Sequence, residues 1–333
     1  MPRLALLAAI ACVVLAASAS HASGRDSPRV GLVLEQPVVG RATDPFQHSV
    51  YLGLVRAVSE GWVQGRVVAP RPFGSFLPPI YYLARQRYDL VVGIGFLETK
   101  DIDTAARRFP SQKFALIDAR RSDLAHKPPN VEGTLFRTEQ PAYLAGYLAA
   151  KMVDKQPAPH VISSVGGFPI PPVNAYIAGF EAGARAADPK IRTLSAYSYD
   201  FTVSSKCAGA ARAQIAQGSQ VVFDVAGACG VGALQAAKEK GIWGIGVDID
   251  QSYLGPTILT SVMKRVDVAI YEFSHEISDG RFRTGGDAVF DLRNGGVGLG
   301  RFSPRVPEPL RRALSRLRRE IAAGKIAVPS ALR

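Results

Sequence analysis

The stretch from Val221 to Asp248 constrains this chain most, because it reads as strand, glycine-rich loop, helix and strand with an acid at the end. Val221–Val225 is a short, mostly apolar run rich in β-branched residues, the pattern of a strand buried on both faces. Gly227, Gly230 and Gly232 then let the backbone turn and be approached closely. Ala233–Lys240 consists of good helix formers stopped at Gly241, and Ile242–Val247 is the next strand. Asp248 follows at its carboxyl end, the edge of an open α/β sheet where ligands bind. This unit predicts an α/β protein with a small-molecule crevice.

The same alternation extends in both directions. Strands are predicted over 30–34, 66–69, 90–93, 114–117 and 131–136, with helices over 46–60, 77–86, 98–108 and 140–152. A second series starts with a strand at 160–165 and continues through a helix at 172–187, a strand at 191–197 and a helix at 207–217. After Asp248 the pattern becomes strand 257–262, helix 266–278, strand 288–292 and a basic helix over 307–323. At 333 residues, two domains are the natural expectation. The two series and the mixed tail predict two Rossmann-like lobes: 29–136 with about 250–290, and 137–249 with about 291–325. A tail that crosses back makes a hinge of several strands, with a cleft where the carboxyl ends of both sheets meet.

Residues 1–22 read as a cleaved signal peptide: Arg3, the apolar run Leu4–Ala17, then small residues at Ala17-Ser18-Ala19 or Ser20-His21-Ala22. The run is too short to span a bilayer comfortably. Cys12 sits in a poor lipoprotein signal, since Val13-Val14-Leu15 continues the apolar run past it. The mature chain is therefore expected to be exported to the periplasm without a lipid anchor. Export permits disulfides. Cys207 opens a predicted helix and Cys229 lies in the loop beyond the next strand, so both fall on one sheet edge. They either pair or remain two buried thiols.

The net charge of +12 is concentrated toward the C-terminus. A basic helix first suggests nucleic acid. This one lacks interleaved aromatics for stacking bases, and an exported chain is not expected to meet nucleic acid. A solvated basic face that favours anionic membrane surfaces is the better reading.

Asp118 and Asp248 each follow a buried strand in their own lobe, where a carboxylate accepts paired hydrogen bonds or caps the next helix. Phe46, Phe96 and Phe201 follow loops at the same edge, either to stack on a flat ring or to pack the core, and Lys264 is a single cation near the hinge. The five histidines have no metal-ligand spacing, and no nucleophile elbow or phosphate-binding loop occurs. No cofactor is expected, and an enzyme is the minority reading.

Ten short runs occur in a recognisable order. The first are Phe46-Gln-His-Ser, Gly93-Ile-Gly-Phe, Phe114-Ala-Leu-Ile-Asp, Tyr143-Leu-Ala-Gly and Gly166-Gly-Phe-Pro-Ile. The rest are Gly179-Phe-Glu-Ala-Gly, Val225-Ala-Gly-Ala-Cys-Gly-Val-Gly, Gly246-Val-Asp-Ile-Asp, Thr260-Ser-Val-Met-Lys and Gly295-Gly-Val-Gly. Through them the chain resembles, from about residue 29 to 300, the basic membrane protein (PnrA-like) family of substrate-binding proteins of ABC importers. The resemblance implies a type I periplasmic-binding-protein fold, a purine-nucleoside-like ligand and a permease partner at the inner membrane, with the receptor expected to be monomeric. It also implies that Phe46 and Phe201 stack on the base, and that Asp118, Gly227, Asp248 and Lys264 make polar contacts. Family members carry Asp-x-x-Phe-Asn around the first stacking residue. Here the run is Thr43-Asp44-Pro45-Phe46-Gln47, so Asp44 and Gln47 enter the ligand set with the acid shifted and the asparagine replaced by a longer amide. Cys229 stands where many members have threonine. The alternatives are a different small polar or aromatic ligand, a signalling receptor on the same fold, and a nucleoside-processing enzyme.

Overall fold

Short strands, most of them followed by a helix, build two separate sheets. The computed structural model describes residues 13–15, 27–35, 44–71, 74–154 and 159–332. In chain order the first strands are β1 (Val13–Leu15), β2 (Arg29–Val33), β3 (Gln64–Val68), β4 (Leu90–Ile94), β5 (Phe114–Ile117) and β6 (Val131–Phe136). They are followed by β7 (Val161–Gly166), β8 (Arg192–Tyr197), β9 (Val221–Val225), β10 (Trp243–Asp248), β11 (Ile258–Lys264), β12 (Asp287–Phe290) and β13 (Val297–Leu299). The helices are α1 (Pro45–Ser59), α2 (Leu77–Arg85), α3 (Thr99–Arg108), α4 (Glu139–Val153) and α5 (Pro171–Ala187). The last four are α6 (Ser204–Ala216), α7 (Gly227–Glu239), α8 (Val266–Ser278) and α9 (Glu308–Ala322).

The chain divides into two compact units. Unit 1 holds Tyr51–Thr134 and Ile270–Ala288 with the N-terminal segment, and unit 2 holds Gly40–Val50, Leu135–Ala269 and Val289–Arg333. Among the described residues the chain passes between them inside α1, β6, α8 and β12.

In unit 1 the strand order is β1-β3-β2-β4-β5-β6-β12, and β3, β2, β4, β5 and β6 run parallel. Its core gathers Val33, Leu83, Val91, Ile102, Phe114 and Leu116. The edge strand β1 lies inside the predicted signal peptide and pairs antiparallel with β3, Val13 opposite Val67. An exposed sheet edge accepts such a β-branched run readily. The rest of the predicted signal peptide, including Cys12 and the cleavage sites, lies outside the described residues.

In unit 2 the order is β13-β11-β10-β9-β7-β8, parallel except for β13. Every residue of β7 and β9 is buried, which is why their sequences show no alternation. The glycine-rich stretch after β9 differs from the sequence expectation. Gly227–Gly232 is not a loop but the first turns of α7, which starts at Gly227 instead of Ala233. A Cβ on Gly230 would overlap the Asp224 carboxylate, and one on Gly232 would overlap the backbone of Ser204. Gly230 makes room for a buried carboxylate, and Gly232 for the close approach of α6. They do not serve a turn. Likewise α6 begins at Ser204, a turn ahead of Cys207, because Asp200 accepts the amides of Thr202 and Val203 and so organises the helix start. No described helix is long and apolar enough to cross a membrane.

Candidate functional site

The carboxyl edge of the unit 2 sheet is built around Asp248, the last residue of β10. Its backbone is left-handed at φ 64°, a conformation a non-glycine residue holds only at a cost of about 1–3 kcal/mol. It does not cap the following turn, whose N-cap is Gln251. Its carboxylate is 6% exposed and accepts a 3.0 Å hydrogen bond from the Tyr176 hydroxyl on α5.

Beneath it, the side chain of Gln251 accepts the Val247 amide at 2.7 Å, and the Ser261 hydroxyl accepts the Gln251 amide at 2.9 Å. Those bonds hold the turn after β10. Asp224, in the middle of buried β9, accepts the Ala226 amide at 2.9 Å. Burial pushes its carboxyl well above the usual range, against the pull of the Ala226 amide, and the neighbouring Asp248 carboxylate pushes it further the same way.

Phe46 and Lys264 meet in the same unit. Pro45 opens α1, and Asp44 ahead of it accepts the Gln47 amide at 3.0 Å while the Gln47 side-chain amide donates back at 2.6 Å. Asp44 and Gln47 are thus bonded to each other and nearly buried, and together they fix the entry of α1. Phe46, one residue into the helix, stays half-buried. The Lys264 ammonium, at the end of β11, is 4.7 Å from the centre of its ring and 5.6 Å from that of Phe136. Phe136 in turn stacks on Phe290 at 5.1 Å. Lys264 is only 3% exposed, and an ammonium this close to two ring faces is attracted to both.

A second aromatic group lies past β7 and β8. Phe201 is half-buried, 5.2 Å from Phe168, and rests flat against Gly167, where any Cβ would strike the ring. Its carbonyl accepts the Cys229 amide at 2.9 Å. Gly227, at φ 55°, begins α7 beside that carbonyl. Cys207 and Cys229 are joined by a disulfide that ties the first turn of α6 to that of α7.

Unit 1 repeats part of this pattern. Asp118 ends β5 in the left-handed conformation, φ 68°, half-buried, its amide donating to Thr134 at 2.9 Å. It caps no helix either; the next turn is capped by Arg120. Phe96 is half-buried, with part of its surface packed against the unit 1 core. Two residues on, Glu98 is fully buried and accepts the Ile94 amide at 3.0 Å with one oxygen, while its other oxygen has no hydrogen-bond partner.

Burial holds the Glu98 carboxyl well above its ordinary 4.5, opposed by the Ile94 amide and aided by Glu35 and Asp101. A raised carboxyl binds its proton more tightly in the folded state, so its stabilisation is complete below about pH 4.5 and is lost as pH rises toward the elevated value. Glu98→Gln cannot titrate. Its urea midpoint is expected to gain on wild type steadily between pH 5 and pH 8, whatever constant offset the amide adds. An offset that is the same at both pH values would show that Glu98 is already ionised in the fold.

A cavity of about 770 Å³ opens elsewhere on unit 1, lined by Arg87, Tyr88, Arg108, Gln112 and Lys113, at the amino end of β4 and β5. It is at the opposite sheet edge from Asp118.

The model of the family described as "ABC transporter substrate-binding protein PnrA-like" matches residues 37–331. The chain belongs to this family. Basic membrane protein B of Borrelia garinii subsp. bavariensis is 34% identical over 232 residues, spanning 68% of this chain and 67% of that protein. The ABC transporter nucleoside-binding protein BmpA of Lactococcus lactis subsp. cremoris is 30% identical over 264 residues, spanning 74% and 72%. The solved structure of an ABC transporter solute-binding protein from Aeropyrum pernix K1 matches with a TM-score of 0.80 at 25% identity, covering 92% of this chain and 94% of that one. The chain is therefore a substrate-binding protein of the ABC-transporter class and not an enzyme, and its fold is that of the solute-binding proteins.

Within unit 2 the structure joins Asp44 to Gln47, Phe46 to Lys264, and Phe201 to Cys229 and Gly227. Sequence reasoning passed over Tyr176, Asp224, Gln251, Phe136 and Glu98. Asp224 left a signal: an acid inside Val-Val-Phe-Asp-Val, with a glycine six residues later to make room for it.

Proposed function

We propose that this chain is an exported receptor that holds a purine-nucleoside-like ligand and passes it to a membrane permease. The observation that carries the reading is Asp248, a nearly buried carboxylate held in a strained backbone at the sheet's carboxyl edge, with Tyr176 orienting it. A carboxylate so placed suits paired hydrogen bonds from vicinal hydroxyls. Half-buried Phe46 and Phe201 suit stacking on a flat base. Lys264 would donate to the base or ribose, and Gly227 would let it approach the start of α7. Asp118 is proposed as a further polar contact to the ligand. The Lactococcus relative named as nucleoside-binding supports the ligand class. Asp44 and Gln47 are proposed to act on the ligand by setting Phe46 at the head of α1.

Thermal unfolding of the chain from residue 23 onward, with nucleosides, free bases, sugars and amino acids, tests the proposal. A ligand at 100 times its Kd stabilises the fold by about 2.7 kcal/mol. Purine nucleosides are expected to raise the melting temperature, and Asp248→Ala and Phe46→Ala to abolish the rise. A rise from another compound class with silence from every nucleoside would discard the nucleoside and leave the receptor.

A further inference from the structure

Residues 293–333 contain ten Arg or Lys against two Glu, a net +8 out of +12 for the whole chain. The other 292 residues share +4. This charge is sorted by α9. Leu314 and Ile321 face inward and are buried. Arg311 and Arg318 also turn toward the protein, donating to the carbonyls of Val306, Ser303 and Leu292 at 3.1, 2.9 and 3.2 Å. Arg312, Arg316 and Arg319 are spaced by four and three residues, so they form one row on the side opposite Leu314. All three are exposed. Arg312 pairs with Glu308 at 3.5 Å, itself exposed, and half-buried Glu320 follows Arg319. Arg316 and Arg319 have no ion pair among the described residues, and exposed Lys325 continues the charge just past the helix.

The row has no exposed large apolar side chain within α9 to enter a groove or a bilayer interior, and no aromatic to stack on a base. A straight row of three guanidiniums about 10 Å long complements a flat surface of phosphates. We propose that the outer face of α9 docks electrostatically on anionic phospholipid headgroups, holding unit 2 against a membrane without inserting into it. This rests on the proposed export, which brings the chain to such a surface. It does not depend on the ligand.

Each Lys or Arg close to an anionic surface strengthens partitioning by about fivefold, and the effect fades within a Debye length. The chain from residue 23 onward should co-sediment with phosphatidylcholine vesicles containing 30% phosphatidylglycerol at 50 mM salt, as an experimental choice of about those values. It should leave them at about 0.5 M salt and ignore pure phosphatidylcholine vesicles. The variant Arg312→Gln/Arg316→Gln/Arg319→Gln should bind on the order of 100-fold more weakly, and Arg316→Gln alone about fivefold. Both should keep the wild-type melting temperature, since these side chains bury nothing. Undiminished binding by the triple variant, binding that survives high salt, or equal binding to neutral vesicles would overturn the proposal. So would duplex DNA that competes the protein off the vesicles at equal phosphate concentration. Loss of the nucleoside response with vesicle binding intact would overturn only the ligand reading.

Discussion

Gly146→Val is expected to prevent unit 2 from folding cooperatively. Helices α4 and α5 cross where neither carries a side chain. A Cβ on Gly146 would lie 2.7 Å from the carbonyl carbon of Phe180 and closer still to its oxygen. Gly183 faces the backbone of Tyr143 in the same way, with 2.6 Å to its carbonyl carbon, and Gly179 faces Glu139 at 2.7 Å from its Cα. Because the obstacle is backbone, no rotamer change relieves it. The helices must move apart, and the contacts of Leu144, Leu148, Ile177 and Phe180, all essentially buried, loosen with them. Overpacking alone costs about 1–3 kcal/mol, and the secondary loss of packing adds to it, which takes the total beyond about 4 kcal/mol. Native proteins hold about 5–15 kcal/mol in total, and against the lower part of that range this is enough to cancel most of it. Urea denaturation followed by circular dichroism reads the result. Gly209→Ala, on exposed α6 with nothing within 4 Å of the new methyl, is the control and should gain about 0.5–1 kcal/mol. A cooperative Gly146→Val transition near the wild-type midpoint would show that the two helices can part without cost.

That glycine trio also shows what could and could not be read from the chain. Tyr143-Leu-Ala-Gly146 and Gly179-Phe-Glu-Ala-Gly183 stood out as marks of resemblance, yet in the fold they are helix-contact residues remote from chemistry. The alternation of strands and helices was legible because burial on both faces leaves unbroken apolar runs such as Leu90–Ile94 and Val221–Val225. The strand-end acids were legible as well, since a carboxylate after such a run has few other places to be. Their backbone conformation was not. A left-handed Asp118 or Asp248 depends on the turn that follows, and Gln251, which holds that turn, reads as an ordinary loop residue. Glycines were ambiguous for a related reason. A missing Cβ serves a turn, a close helix, or a buried carboxylate equally well, and only the neighbour decides. At Gly230 the neighbour is Asp224.

Removing the disulfide is expected to cost about 3 kcal/mol, the loop-closure value for cysteines 22 residues apart. For a chain of this size that lowers the melting temperature by roughly 4–5 °C. Both cysteines are fully buried in the cluster of Val165, Ala211, Val222, Ala226 and Ala233, so Cys207→Ala/Cys229→Ala leaves apolar side chains in an apolar site. The loss should therefore reflect the missing bridge and a small cavity, without an added polar penalty. Wild type in reductant should move to a similar midpoint. The site should respond more than the global fold does. Cys229 sits in the first turn of α7, two residues after Gly227, and its amide holds the carbonyl of Phe201. Without the bridge, the start of α7 is tied to α6 only by packing, and the Phe201 segment loses part of what positions its ring. Nucleoside-induced stabilisation, measured at equal ligand concentration, should thus shrink in the double variant by more than in Phe96→Leu, whose side chain packs on the core of unit 1. If reductant exposes two thiols by mass spectrometry while midpoint and ligand response stay unchanged, the bridge contributes nothing to either. If the midpoint falls and the ligand response holds, packing by Gly167 and Phe168 is sufficient to place Phe201.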